Sequence, residues 1–357
     1  MNRGAGIVLP VFSLPSANGI GTLGKEAKNF IRFLEKAKQT YWQILPVGQT
    51  GYGDSPYQSP SSFAGNPYLI DLDDLCREGW LKKEEYKHIN WGNDPSRVDY
   101  GIMYENRWNV LRKAAVRLID KNPKEYRSFL RENKDWLNDY AMFMTVKEEE
   151  GGKGLSDWDD QYRFRDEKAL RQLKKRRKDT YEFYRAIQYF FYHQLNELKA
   201  YAKEHHVKII GDLPIYVAED SVDVWMYPEL FELDEQRHPV NIAGCPPDGF
   251  ADDGQRWGNP LYRWDVMKQD GYSWWINRLS RQFSIYDVLR FDHFRGFAGY
   301  YAIPATEKTA RNGVWREGPG YDFFAAVKEK LGDRECIAED LGFLTEDVNV
   351  MLEKKGK

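Results

Sequence analysis

Two short stretches carry acids at the ends of strand-like runs. Val-Leu-Arg-Phe-Asp-His-Phe-Arg-Gly (288–296) delivers Asp292, and Ile-Ala-Glu-Asp-Leu-Gly (337–342) delivers Glu339. Two carboxyl groups brought from separate strands to one pocket are what retaining glycosidic chemistry needs. Side chains alternate along a strand, so residues two apart share a face. Arg290 and Asp292 then point the same way, as do Ile337 and Glu339. Ile210 and Asp212 do the same on Lys-Ile-Ile-Gly-Asp-Leu-Pro-Ile-Tyr (208–216). A lone strand-end acid is more often a helix cap or an ion pair. Asp212, Asp292 and Glu339 converging on one rim beside Arg290 favour a site.

The elements that must position these acids can be read from periodicity. Gly6–Phe12 reads as a buried strand, a near-continuous apolar run. A Gly/Ser/Pro/Asn-rich loop, a helix over about 25–38 and a second strand at 41–47 complete a βαβ unit, the start of a parallel sheet. The loop 48–66 and a charged, Trp-bearing block follow, with helical stretches such as 102–119. Tyr184, Ile187, Phe191, Leu195, Leu198 and Ala202 recur three or four apart, which predicts a core-facing helix. Further strands are expected at 208–216, 287–293 and 335–339, with helices at 271–285, 321–331 and from about Thr345. The Pro/Gly/Asp-rich segment 241–261 is expected as a long loop able to cover the site. The organisation predicted is an α/β chain: a (β/α)8 TIM-type barrel with a large, mostly helical insertion after the second strand. Residues 1–50 start the barrel, 51–180 form the inserted subdomain, and 181–357 continue the barrel, giving about five of its eight strands.

Composition narrows the function classes. Hydrophobic residues at 42% and charged residues at 30% describe a folded chain with a large core. A net charge of −3 with mixed signs argues against a polyanion-binding protein, and the basic run Arg171–Lys178 reads as a solvated helix face. Cys76, Cys245 and Cys336 are scattered, which indicates neither a zinc cluster nor a disulfide framework and fits a reducing cytoplasm. Met1–Phe12 is a poor signal peptide, and no run of about 18 apolar residues exists to span a membrane. No phosphate-cradling Gly-x-x-x-x-Gly-Lys motif occurs, and His205-His206 lacks metal-ligand spacing. No cofactor, metal, nucleic acid or membrane partner is expected. Aromatic residues at 15% fit sugar binding, although large cores use them too.

Six motifs then carry a resemblance. They are Gly-Asp-Ser-Pro-Tyr-Gln-Ser (53–59), Gly-Asp-Leu-Pro-Ile-Tyr (211–216), Gly-Cys-Pro-Pro-Asp (244–248), Gln-Arg-Trp-Gly-Asn-Pro-Leu-Tyr (255–262), Arg-Phe-Asp-His-Phe-Arg-Gly (290–296) and Ala-Glu-Asp-Leu-Gly (338–342). In identity and order they resemble the 4-alpha-glucanotransferase family, also called amylomaltase or disproportionating enzyme, of the alpha-amylase superfamily. The resemblance implies transfer of alpha-1,4-glucan segments to glucose or maltooligosaccharide acceptors by retaining double displacement. Starch- or glycogen-derived glucans would be the donors. It implies Asp292 as nucleophile, Glu339 as general acid/base and Arg290 beside the nucleophile. Tyr57, Asp212 and His293 would surround the sugar at the cleavage point, with Ser55 near them. Trp257, Gln255 and Asp248 would belong to a covering loop. Tyr52 and Tyr100 resemble aromatics of a secondary glucan groove.

Several chemical expectations follow. The catalytic carboxyls should stand about 5–5.5 Å apart. Arg290 should lower the pKa of Asp292, while burial and the Asp292 charge raise that of Glu339. The resemblance also implies a third carboxylate in a His-Asp pair on a later strand. The sequence ends at Lys357 before such a segment. The expectation is therefore a chain that specifies the chemistry without completing it alone. An alpha-glucan hydrolase on the same scaffold, or an inactive glucan-binding form, are the alternatives.

Overall fold

Val/Ile/Leu runs bounded by Gly and Pro become strands, and runs with apolar residues every three or four positions become helices. A computed structural model describes residues 3–94 and 96–339; the helix expected from Thr345 and the 340–342 end of the second acid motif lie outside these. Among the described residues the strands are, in chain order, β1 (Gly6–Val8), β2 (Tyr41–Gln43), β3 (Lys208–Pro214), β4 (Asn241–Cys245), β5 (Gln255–Pro260), β6 (Val288–Asp292), β7 (Gly299–Pro304), β8 (Val314–Glu317) and β9 (Cys336–Ala338). The chain forms two compact units. One comprises Met1–Pro56, Phe63–Lys153 and Trp158–Ile210; the other comprises Tyr57–Ser62, Gly154–Asp157 and Gly211–Lys357.

In the first unit β1, β2 and the beginning of β3 run parallel, with Ile7 opposite Trp42 and Trp42 opposite Ile209. The Lys25–Lys36 helix connects β1 to β2 and buries Ala27, Ile31 and Leu34, one stripe at helical spacing. β1 departs from expectation. It ends at Val8, which is 59% exposed, and Val11–Ser13 forms a 3-10 turn. Pro10 has no N–H to continue a ladder, and β1 lies at the sheet edge. The chain between β2 and β3 is helical, led by Tyr100–Lys121, Lys134–Glu149 and Lys178–Glu204, which pack together. Two buried glutamines on the last of these hold loop backbone by paired amide bonds. Gln188 accepts from the Gly65 N–H at 2.8 Å and donates to its carbonyl at 2.9 Å. Gln194 does the same for Asp71, at 2.7 and 3.1 Å. Backbone groups that neither helix nor sheet can pair are thereby satisfied. The basic run 171–178 is more than a solvated face. Arg176 and Arg177 pair with Glu149 and Glu148, and the Lys174 ammonium lies 4.0 Å from the Tyr181 ring centre.

In the second unit the end of β3 lies beside β6, and β6 pairs in parallel with β9, Arg290 opposite Ile337. Helices Ser273–Ile285 and Gly320–Leu331 precede β6 and β9, as βαβ connection requires. All five expected parallel strands are present, each within the span read from sequence. The segment 241–261 is different. It is not a loop but two strands, β4 and β5, in an antiparallel sheet of order β5-β4-β7-β8. Its Pro and Gly residues concentrate in the turn 246–254, leaving pairing-competent residues on both sides. The core of this unit is aromatic: Phe297 stacks on Phe323 at 4.9 Å, and Trp275 meets both at 5.5 Å. Much of the chain's aromatic content is thus core.

Gly211 immediately precedes Asp212 on β3. A Cβ there would lie 2.1 Å from the buried Tyr286 ring, at atoms next to its root that cannot swing away. Gly211→Ala is expected to destabilise by about 1–3 kcal/mol, the usual cost of overpacking. Denaturant unfolding should show a lower midpoint with unchanged slope; an unaltered midpoint refutes the tight packing.

Candidate active site

Strand alternation brings the acids together as their spacing predicts. Asp212, only 2% exposed, projects from β3, Arg290 and Asp292 lie on β6, and Glu339 follows β9. The Glu339 N–H donates to the Phe291 carbonyl at 3.1 Å, so the β6–β9 pairing extends to that residue. Arg290 stands at the centre. Its Nη1 donates to Asp212 Oδ1 at 2.5 Å and to Asp292 Oδ1 at 3.1 Å, and its Nη2 lies 2.9 Å from Glu339 Oε2. The His293 backbone adopts the left-handed region, φ 53°, ending β6, and its N–H donates to Glu339 Oε2 at 2.7 Å. The Tyr57 hydroxyl donates to Asp212 Oδ2 at 2.8 Å.

One guanidinium cannot neutralise three carboxylates in a half-buried site, so a proton is retained. Burial, a hydrogen bond with Glu339 and the charges of Asp212 and Glu339 push the Asp292 carboxyl up to about 7, against the lowering effect of Arg290. This corrects the expectation that Arg290 sets Asp292 below its usual range: the cation is shared three ways. Burial raises Asp212 as well, opposed by Arg290 and by the Tyr57 hydrogen bond. Burial, then the Asp212 charge, raises the Tyr57 phenol, which stays a donor. Burial depresses the His293 imidazole to about 4, leaving it neutral near pH 7.

Beside the acids stands an aromatic wall. The Trp257 ring meets His293 edge-on at 4.9 Å, and its indole N–H donates to Gln255 Oε1 at 3.0 Å. Gln58, three motifs away in sequence, donates to the Trp257 carbonyl at 3.1 Å and to Asn259 Oδ1 at 3.0 Å. Arg278 is buried against Trp275 and donates to the carbonyls of Pro214 and Ile215 at 2.7 and 2.9 Å, holding the chain just beyond Asp212. Sequence reasoning did not single out Gln58, Asn259 or Arg278. The first two lay inside quoted motifs, whereas nothing local marks Arg278. Asp248 caps its own turn, accepting the Phe250 and Ala251 N–H groups at 2.8 Å. Tyr52 is fully exposed, Tyr100 packs on Tyr68 at 6.3 Å, and Ser55 is half-buried, all in the first unit.

Among the described residues, one His/acid group has metal-ligand proximity: Glu78, His193 and Glu197, with ligand atoms within 4.8 Å of one another. His193 Nε2 lies 3.5 Å from each carboxylate, and its hydrogen bond to Glu78 raises its pKa. Cys76, Cys245 and Cys336 are free thiols, and no described helix is long and apolar enough to cross a membrane.

Residues 9–357 match the sequence profile of the family described as 4-alpha-glucanotransferase. The chain belongs to the 4-alpha-glucanotransferase family. It is 47% identical to the 4-alpha-glucanotransferase of Streptococcus pneumoniae, over 99% of this chain and 70% of that protein. It is 46% identical to that of Thermus thermophilus, over 99% and 71%. The fold superposes on an amylomaltase from Streptococcus agalactiae, solved in complex with acarbose, with a TM-score of 0.97 and 45% identity; the match covers 99% of this chain and 72% of that one. A 4-alpha-glucanotransferase-family fold thus places the three acids, and Arg290 serves all of them.

The raised Asp292 carboxyl predicts a pH signature. The folded protein holds a proton that the unfolded chain releases near the ordinary carboxylate pKa, so Asp292 lowers stability as pH rises from about 4 to about 7. Asp292→Asn removes that cost. The variant's melting temperature should exceed the wild type's at pH 8, with the gap closing towards pH 4. His293, depressed to about 4, acts in the opposite sense, stabilising as pH rises through 4–6.5, but it is present in both proteins and largely cancels. A pH-independent gap rules out the raised Asp292 carboxyl.

Proposed function

We infer that the chain transfers alpha-1,4-glucan segments between maltooligosaccharides, with glucose or a shorter glucan as acceptor, by retaining double displacement. The observation that carries this reading is the cluster of Asp212, Asp292 and Glu339 around Arg290, at the ends of parallel strands, in a chain of this family. Starch- or glycogen-derived glucans are the donors, and cytoplasm, where free cysteines stay reduced, is the proposed location. The proposal keeps 1–50 and 181–357 as barrel and 51–180 as its insertion.

Asp292 is the nucleophile and Glu339 the acid/base. With a glucan seated between them, the proton held on Asp292 passes to Glu339. Glu339 then protonates the glycosidic oxygen as that bond breaks, while the Asp292 carboxylate bonds to the anomeric carbon. In the second half the acceptor's 4-hydroxyl gives its proton to Glu339 and displaces Asp292. Arg290 stays charged throughout and orients all three acids. Neutral His293 and the Tyr57–Asp212 pair offer hydrogen bonds to sugar hydroxyls. Trp257 supplies an apolar surface that displaces water from the covalent intermediate.

Incubated with maltotriose, the protein should yield longer glucans plus glucose by chromatography. Maltose and glucose alone would instead indicate a hydrolase, and binding without turnover a glucan-binding protein. Asp292→Ala should lose on the order of 10⁴–10⁶-fold in kcat while remaining folded, as removal of a nucleophile does. Glu339→Gln should lose turnover of maltotriose yet still release fluoride from alpha-maltosyl fluoride, whose leaving group needs no proton. Equal loss on both substrates contradicts the acid/base role.

A further inference from the structure

We propose that Gln58 is a positioning residue for the acceptor half of the reaction: its side-chain amide clamps a bulge in β5 that carries Trp257 beside His293. Resting on the transfer reading above, the proposal adds which group decides between a sugar hydroxyl and water.

The argument begins with the strand register. Arg256 pairs with Gly244 and Pro260 with Ile242, so 257–259 on β5 face the single residue Ala243 on β4. Trp257, Gly258 and Asn259 are therefore outside the β4–β5 ladder, in a bulge. Bulges beside sites re-aim a side chain but leave backbone groups without ladder partners. Gly258 takes φ +80°, a conformation open to glycine, and the Trp257 carbonyl and Asn259 Oδ1 on either side of it accept from one donor. That donor is Gln58 Nε2, at 3.1 and 3.0 Å. Gln58 Oε1 lies 3.4 Å from Asn259 Nδ2, which also donates to the Val217 carbonyl at 2.8 Å. The amide pair is thus closed on both sides, and Asn259 is buried.

The neighbour of Gln58 completes the link. Tyr57 binds Asp212 at 2.8 Å, and Asp212 binds Arg290 at 2.5 Å. One dipeptide, Tyr57-Gln58, therefore fixes both the carboxylate cluster and the aromatic wall. The Trp257 ring is held edge-on to His293 at 4.9 Å, with its indole N–H occupied by Gln255 at 3.0 Å. An unclamped bulge would let the ring swing and water reach the anomeric carbon. Donor cleavage depends on Asp292 and Glu339, which Gln58 does not touch among the described contacts.

The test compares Gln58→Ala and Gln58→Glu with the wild-type protein, using maltotriose as donor and labelled glucose as acceptor. The glutamate variant keeps the volume but cannot donate to either oxygen when ionised. The ratio of transfer to hydrolysis should fall about tenfold, as loss of one to two net hydrogen bonds predicts. The KM for glucose should rise, while kcat for donor cleavage stays within about threefold, less than half a decade in rate. Hydrogen exchange at 257–259 should speed up in both variants and is read without turnover. An unchanged ratio, an equal loss of both reactions, or unchanged exchange at 257–259 overturns the clamp. If Gln58→Ala fails to fold, Gln58→Glu carries the same readings. Failure of the transfer reading shows separately, as wild-type protein that makes no longer glucan.

Discussion

One cation shared by three acids is the constraint on which the rest of the site depends. Arg290 reaches Asp212, Asp292 and Glu339 at 2.5, 3.1 and 2.9 Å. Placed on the middle strand of β3, β6 and β9, it meets acids from both neighbours without any long side-chain excursion. The attraction is strong because water is largely excluded, and for the same reason an unmatched charge is costly. Three carboxylates and one guanidinium would leave two negative charges, and burial with this surplus pushes the Asp292 carboxyl up to about 7. The proton that catalysis needs is thus a consequence of the charge imbalance.

Backbone features serve this arrangement. Gly211 lets β3 pass close to Tyr286 so that Asp212 sits deep, and the left-handed His293 turns the chain so that its N–H meets Glu339. Arg278 holds the carbonyls just beyond Asp212 from behind. Such features cost stability locally and persist because an aromatic core supports them: Trp275, Phe297 and Phe323 pack ring on ring, and Phe297 meets Phe291 of β6. The aromatic residues therefore divide into two sets, a buried majority that holds the strands and a few, Trp257 and Tyr57 foremost, that face the acids.

How much of this was legible follows from the kind of signal each feature leaves. The parallel strands were readable because buried strands need apolar runs, and the acids because alternation with a period of two puts Arg290 and Asp292 on one face. The helix carrying Tyr184 to Ala202 was readable from three-and-four spacing. The segment 241–261 was misread because Pro and Gly content averages over a turn and its two flanking strands, hiding β4 and β5. β1 was read too long because its run continues past Pro10, which interrupts the ladder. Gln58 and Asn259 left no signal of their own, since a side-chain amide acquires a role only when the backbone of another segment arrives opposite it.

The sequence by itself determined which chemistry is available: the acids, the arginine beside them and the periodicities that assemble a parallel sheet. Each of these is local, set by residue type and by neighbours within a few positions. Tertiary structure alone decided how the charges divide. That Arg290 is shared three ways, that Asp292 rather than an isolated carboxylate holds a proton at about 7, and that a bulge in β5 is gripped by Gln58 all depend on distances between strands far apart in the chain. Electrostatic energy varies with separation and burial, and neither is written in a linear order of residues.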